Sequence, residues 1–154
     1  MARLTRALRR DTRSDTAVAA AVPVRRRKGE VQFLLVRTSH GDRWTFPKGR
    51  VERGEAMSEA AAREAREEAG VAGAVGSEPL GVYRYAPSRN GSDDVTAFLL
   101  DVERDGLRAE SGRDPVWLSR KAALGRLVQG RENGFGEAMS RILRAAERQA
   151  LPRK

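Results

Sequence analysis

Glu64, Glu67 and Glu68 stand at i, i+3 and i+4 within the run Arg63-Glu64-Ala65-Arg66-Glu67-Glu68-Ala69. On an α-helix those spacings bring the three carboxylates onto one face. An oxygen-rich face of this kind suits Mg2+ or Mn2+, hard cations that keep some waters and also bind phosphate oxygens. A solvated charged face is the other reading, since exposed like-charge pairs at i,i+4 cost only about 0.2–0.5 kcal/mol. Helix periodicity alone favours that plainer reading. In a partly closed cleft, two carboxylates about 5 Å apart repel by about 3 kcal/mol at an effective dielectric of about 20, and a divalent cation is the natural compensation.

The elements that must position these acids can be read around them. Residues 55–69 contain no Pro or Gly and are rich in Ala, Glu and Arg, all good helix formers. They predict a helix from Glu55 to Ala69, stopped by Gly70, a residue able to take the left-handed C-cap conformation. The face opposite the glutamates carries Ser58, Ala62, Ala65 and Ala69, small side chains that let a helix lie close against a sheet. Phe46-Pro47-Lys48-Gly49 reads as a loop that turns its backbone towards the glutamates. Upstream, Thr16 to Val24 reads as a buried strand, Arg25 to Gly29 as a turn and Val31 to Arg37 as the partner strand of a hairpin. Downstream, Pro79 to Tyr85 and Val95 to Val102 read as strands flanking a turn-forming run, Pro87 to Ser92. Asp114 to Leu118 is a short strand and Glu137 to Gln149 an amphipathic helix. Strands on both sides of one helix, with a second helix at the end, suggest a mixed sheet between helices.

Composition narrows the chemistry. At 154 residues the chain is of single-domain length and long enough to bury a sizeable core. No apolar run approaches the ~20 residues of a membrane span. No apolar stretch follows the basic N-terminus, so no signal peptide is read and a cytoplasmic chain is expected. There is no Cys and a single His, His40, which removes thiolate chemistry, cysteine-based zinc sites and multi-His metal sites. Any metal must be held mainly by oxygen. Of the 30 basic residues 26 are Arg, and the net charge is +9. Coding bias explains an arginine excess as well as function does, although the planar guanidinium also suits phosphate. Charge alone does not decide between a small polyphosphate and RNA.

The stretch Gly49 to Val71 resembles the Nudix box, Gly-x5-Glu-x7-Arg-Glu-U-x-Glu-Glu-x-Gly-U with U apolar. Every fixed position matches, and Ala65 is small where the family usually carries a larger aliphatic residue. The resemblance covers roughly residues 16 to 145. It implies an α/β/α sandwich in which the box is a loop–helix–loop, with residues 1–15 as a basic arm and 16–150 as the Nudix domain. It further implies Mg2+- or Mn2+-dependent hydrolysis of a P–O–P bond. By position, Glu64, Glu67 and Glu68 are similar to the metal ligands, with Glu64 also the candidate to orient or deprotonate the attacking water. Arg63 and Glu55 are similar to a supporting ion pair, and the backbone carbonyl at Lys48 or Gly49 to a further ligand. Some members use one more acid from a distant loop. Glu110 is the candidate here, with Asp93 and Asp94 of the hairpin loop as rivals.

Arg43-Trp44-Thr45-Phe46-Pro47-Lys48-Gly49 looks like the approach to the box in hydrolases of diadenosine polyphosphates and of diphosphoinositol polyphosphates. Gly112-Arg113 and Lys121-Ala122-Ala123 are also similar to that group. Arg37, Arg43, Lys48, Arg50 and Arg89 are candidate phosphate contacts, each equally readable as a solvated cation. Trp44, Phe46 and Tyr85 either stack on a base or fill the core. Nucleoside triphosphates, ADP-ribose and the 5′ end of RNA are the alternative substrates, and no clear sequence mark points to an ADP-ribose subgroup. A non-catalytic nucleotide- or RNA-binding module, or a basic RNA-associated protein led by the arm Arg3 to Arg13, is the alternative of another class. Monomer and homodimer both remain open.

Overall fold

A computed structural model describes residues 17–88, 91–131 and 134–150; the N-terminal arm and Arg89 lie outside the described residues. Strand β1 (Val18–Arg27) runs through the middle of an eight-stranded sheet. Its Ala19 and Ala21 are buried on one face, and Ala20, Val22 and Val24 on the other. That two-sided burial is why the segment reads as an unbroken apolar run rather than an alternation. β2 (Glu30–Arg37), β3 (Trp44–Thr45), β4 (Lys48–Arg50), β5 (Ala72–Val75), β6 (Gly81–Ser88), β7 (Gly91–Arg104) and β8 (Val116–Ser119) complete the sheet. The main path is β3-β2-β1-β7-β5, with β4 on β1, β6 on β7 and β8 on β2. β1 and β7 are parallel and the other pairs antiparallel, so the sheet is mixed.

Helix α1 (Met57–Ala69) packs on one face, with Ala60, Ala61, Ala65 and Ala69 against Ala19, Ala21, Leu34 and Leu100. Helices α2 (Arg120–Val128) and α3 (Phe135–Ala150) contribute to the core on the other face, with Leu127, Met139, Ile142 and Leu143 against Val22, Phe33 and Leu35. The expected α/β/α sandwich is the fold observed. No helix among the described residues is long and apolar enough to cross a membrane.

Several local expectations shift. β1 extends to Arg27, so the hairpin turn shrinks to Lys28-Gly29, both at positive φ (53° and 80°). A two-residue hairpin turn with both central residues left-handed matches the twist of its strands. Lys48 to Arg50, expected within a loop, forms β4 because its backbone pairs with Val18 to Ala20. α1 begins at Met57 rather than Glu55, because the Glu55 carboxylate accepts the Glu52 N–H and engages Arg63 ahead of the helix. Its buried stripe includes Ala60 and Ala61, while Ser58 and Ala62 are only half-buried. Asp93 and Asp94 lie in β7 rather than in a loop. α2 has no counterpart in the sequence reading: only Ala123 and Leu127 are buried, too sparse a pattern to see, although the Ser119 side chain accepts the Ala122 N–H as its N-cap.

Ala65 has no exposed surface, so its small size is a packing requirement of the α1–sheet contact. Ala65→Leu is expected to lower stability by about 1–3 kcal/mol through overpacking, read as a drop in the denaturant midpoint at unchanged m-value; a neutral result would show slack at that contact.

Candidate active site

Arg63 organises the loop–helix junction. Its Nε and Nη2 donate to the two oxygens of Glu55 at 2.8 and 3.0 Å, a bidentate pair, and Nη2 also donates to the Arg50 carbonyl at 3.0 Å. Nη1 turns to Glu64 Oε2 at 3.0 Å and Glu67 Oε1 at 3.2 Å. The guanidinium hydrogen-bonded to Glu55 holds that carboxyl below its usual range, and the same contact pushes the guanidinium pKa upward. One side chain therefore links β4, the turn after it and the acidic face of α1.

Glu64 and Glu68 are nearly buried, while Glu67 is half exposed. Gly49 makes room for Glu64: a Cβ at that position would collide with the Glu64 carboxylate. Glu68 Oε1 accepts the Lys48 backbone N–H at 3.1 Å, and Oε2 accepts from Arg113 Nη2 at 3.3 Å. Burial pushes both carboxyls up despite the arginines, Glu68 to about 7. The backbone of 48–49 thus turns towards the glutamates as expected, from a strand rather than a loop. Among the described residues no three acidic or imidazole groups converge on one point; the carboxylates rest on Arg63 and Arg113.

A cleft of about 470 Å³ opens beside Glu68, lined by Arg43, Lys48, Gly49, Arg50, Asp93 and Arg113 among others, within the range of small-ligand pockets. His40, the sole histidine, is also on its wall. Arg37 is committed elsewhere, to Asp114 at 3.1 Å, the Gly41 carbonyl at 3.0 Å and the Trp44 ring at 4.5 Å. Glu110 is exposed; its N–H donates to the Glu67 carbonyl at 2.8 Å and its carboxylate accepts from Arg113 at 3.1 Å. Of its rivals, Asp93 lines the cleft and Asp94 pairs with Arg84 at 3.6 Å on the surface. Phe46 is fully buried core. Trp44 carries the Arg37 and Arg126 guanidiniums, and Tyr85 carries Lys48 Nζ at 3.8 Å and Arg131 at 4.8 Å.

Arg113 was singled out in the sequence only as part of a short likeness, not as a site residue. It follows Glu68 by 45 positions, and no local periodicity connects a loop arginine to a helix glutamate at that range.

A mixed sheet sandwiched by helices, with this loop and helix at one cleft, defines a class, and comparison with known proteins names it. The profile described as NUDIX domain matches residues 15–135. The chain belongs to the Nudix family. It is 40% identical over 113 residues to Nudix hydrolase 4 of Arabidopsis thaliana, covering 66% of this chain and 54% of that protein. Over 111 residues it is 33% identical to the mitochondrial Nudix hydrolase 13 of the same plant, covering 63% and 54%. The chain thus spans about half the length of these relatives. The Ap4A hydrolase of C. elegans, solved as a binary complex, superposes with a TM-score of 0.69 at 24% identity over 84% of this chain and 93% of that one. The NUDIX domain of Shewanella oneidensis NrtR complexed with ADP ribose does so with a TM-score of 0.62 at 16% identity over 88% of each. At those identities the likeness is one of fold.

Two outcomes follow from the geometry. Gly49→Ala drives the Glu64 carboxylate, the movable end of a side chain, out of its place. Any hydrolytic turnover is expected to drop by up to about 10²-fold, as a misplacement of about 1 Å can cost, while the melting temperature changes little; intact turnover would show that Glu64 need not lie there. For Glu68, a carboxyl pKa of about 7 when folded, against an ordinary 4.5, means the folded chain holds a proton that the unfolded chain releases. That contribution favours the fold at pH 4.5 and below and is lost as pH rises to about 7. In EDTA, stability from pH 5 to pH 7 should therefore fall more steeply in the wild type than in Glu68→Gln; parallel profiles would show that Glu68 is not shifted upward.

Proposed function

We propose that the chain is a hydrolase that splits a P–O–P bond of a small polyphosphate in the cleft beside Glu68, using Mg2+ or Mn2+. The observation that carries this reading is the pair of nearly buried carboxylates, Glu64 and Glu68, on one helix face at the edge of a cleft lined by Arg43, Lys48 and Arg50. Two adjacent carboxylates taken out of water need positive charge, and they offer only hard oxygen donors.

Glu64, Glu67 and Glu68 would hold the ion, with the Lys48 or Gly49 carbonyl and Glu110 as further oxygens. The all-oxygen donor set fits such a cation, with the Glu64 carboxylate lying against the Gly49 backbone where a Cβ would stand. When bound, a divalent cation neutralises charge on pyrophosphate oxygens and lowers the pKa of a bound water. Glu64 orients the attacking water and accepts its proton on a carboxylate oxygen. As the new P–O bond forms, the bridging P–O bond breaks, and the leaving phosphate departs with the bridging oxygen. Arg63 and Glu55 keep the loop and helix registered while this happens. Lys48, Arg43 and Arg50 take the remaining phosphates.

Dinucleoside polyphosphates or diphosphoinositol polyphosphates are the substrates this reading favours. The run from Arg43 to Gly49 and the superposition on an Ap4A hydrolase support that choice. The test is incubation with Mg2+ and a panel of diadenosine polyphosphates, nucleoside triphosphates, ADP-ribose, a diphosphoinositol polyphosphate and 5′-triphosphate RNA, with and without EDTA. EDTA-sensitive cleavage is expected for the first or fourth class, with loss of at least about 10²-fold in Glu68→Gln at retained fold. Tight binding with no cleavage of any would make the chain a binding module instead.

A further inference from the structure

We propose that Arg113 is a positioning residue of this site, the side chain that places Glu68 and Glu110 relative to one another; the proposal rests on the hydrolase reading above. All three guanidinium nitrogens are in use. Nε donates to Glu110 Oε1 at 3.1 Å, Nη1 to the Arg37 carbonyl at 3.0 Å and Nη2 to Glu68 Oε2 at 3.3 Å. Although Arg113 lines the cleft, its side chain is only 13% exposed.

The backbone around it is pinned from two directions. On the sheet side, the Arg37 N–H donates to the Arg113 carbonyl at 2.7 Å, and the Arg37 guanidinium pairs with Asp114 at 3.1 Å. On the helix side, the Leu107 N–H donates to the Gly70 carbonyl at 2.9 Å and the Glu110 N–H to the Glu67 carbonyl at 2.8 Å. The segment from Leu107 to Asp114 is therefore strapped between the end of α1 and the end of β2, and Arg113 reaches from it onto Glu68. The other contact on the Glu68 carboxylate described above, the Lys48 N–H, comes from β4. Between them, these two donors hold a nearly buried acid from before and after it in the sequence, and Arg113 extends the arrangement to the Glu110 carboxylate.

A fork is required for this, not just a charge. A lysine ammonium is a point charge on a flexible stem and does not reproduce the rigid planar geometry that serves three acceptors. Arg113→Lys keeps the electrostatics and removes the geometry. In that variant, Mn2+ affinity of the substrate-free protein, titrated by electron paramagnetic resonance, is expected to fall about tenfold. kcat for the cleaved polyphosphate should fall by about the same factor with KM within about twofold, the size of effect seen when a group supporting a ligand is lost. In a double-mutant cycle with Glu110→Gln the effects should be less than additive, since Arg113 is what holds the Glu110 carboxylate.

A variant matching the wild type in affinity and kcat would overturn the proposal. So would a defect confined to KM, which would make Arg113 a substrate contact, or strict additivity with Glu110→Gln. A lowered melting temperature with affinity restored on cooling would mark a purely structural role, and overturn it too. A wild-type protein that neither binds Mn2+ nor cleaves any polyphosphate would sink the hydrolase reading itself, an outcome distinct from failure of Arg113→Lys alone.

Discussion

The bidentate pair between Arg63 and Glu55 is the constraint on which the site depends. An arginine fork on a carboxylate fixes direction as well as distance, and here the same guanidinium also takes the Arg50 carbonyl and the oxygens of Glu64 and Glu67. Glu55 lies before α1, Arg50 ends β4, and the acids sit on α1 itself. Without this hub, β4 and α1 would be two elements packed on one sheet with no fixed relation between the Gly49 backbone and the Glu64 carboxylate. Removing Arg63 would leave Glu55 and the nearly buried Glu64 without that shared counter-charge, the costly way to break such a network.

Close approach and charge then work together. The alanines of α1 let the helix lie against Ala19 and Ala21 of β1, and β4 pairs with that same strand. The acidic side of the helix is thereby brought against the Gly49 backbone, where no Cβ stands in the way of Glu64. Packing of small side chains takes two carboxylates out of water, and their desolvation raises both pKa values. Arg63 and Arg113 offset part of that cost.

The arginine-rich composition finds much of its use inside the fold rather than on a uniform basic surface. Arg25 stacks on Trp117 at 4.3 Å and donates to Gln32. Arg37 and Arg126 lie on Trp44, Arg120 pairs with Glu147 at 3.3 Å, and Arg131 lies on Tyr85 and Phe135. A guanidinium can bury its flat faces on aromatic rings while keeping its edges for oxygen. Net charge by itself does not point to a partner, because it counts such arginines equally with those on the cleft wall.

What the sequence by itself determined is the local and the periodic. The helix bearing Glu64, Glu67 and Glu68, its stop at Gly70, the two-sided burial of β1 and the amphipathic α3 all follow from spacing along a short stretch. The resemblance of residues 49–71 to one family added the Arg63–Glu55 pair. Tertiary structure alone decided the rest. β4 exists because distant Val18 to Ala20 supply its hydrogen bonds, and α2 because its few apolar groups meet a core built elsewhere. Arg113 meets Glu68 because the 107–114 segment docks on both α1 and β2. Those contacts join residues tens of positions apart, and hydrogen bonds and ion pairs over such separations leave no periodic trace in a single chain.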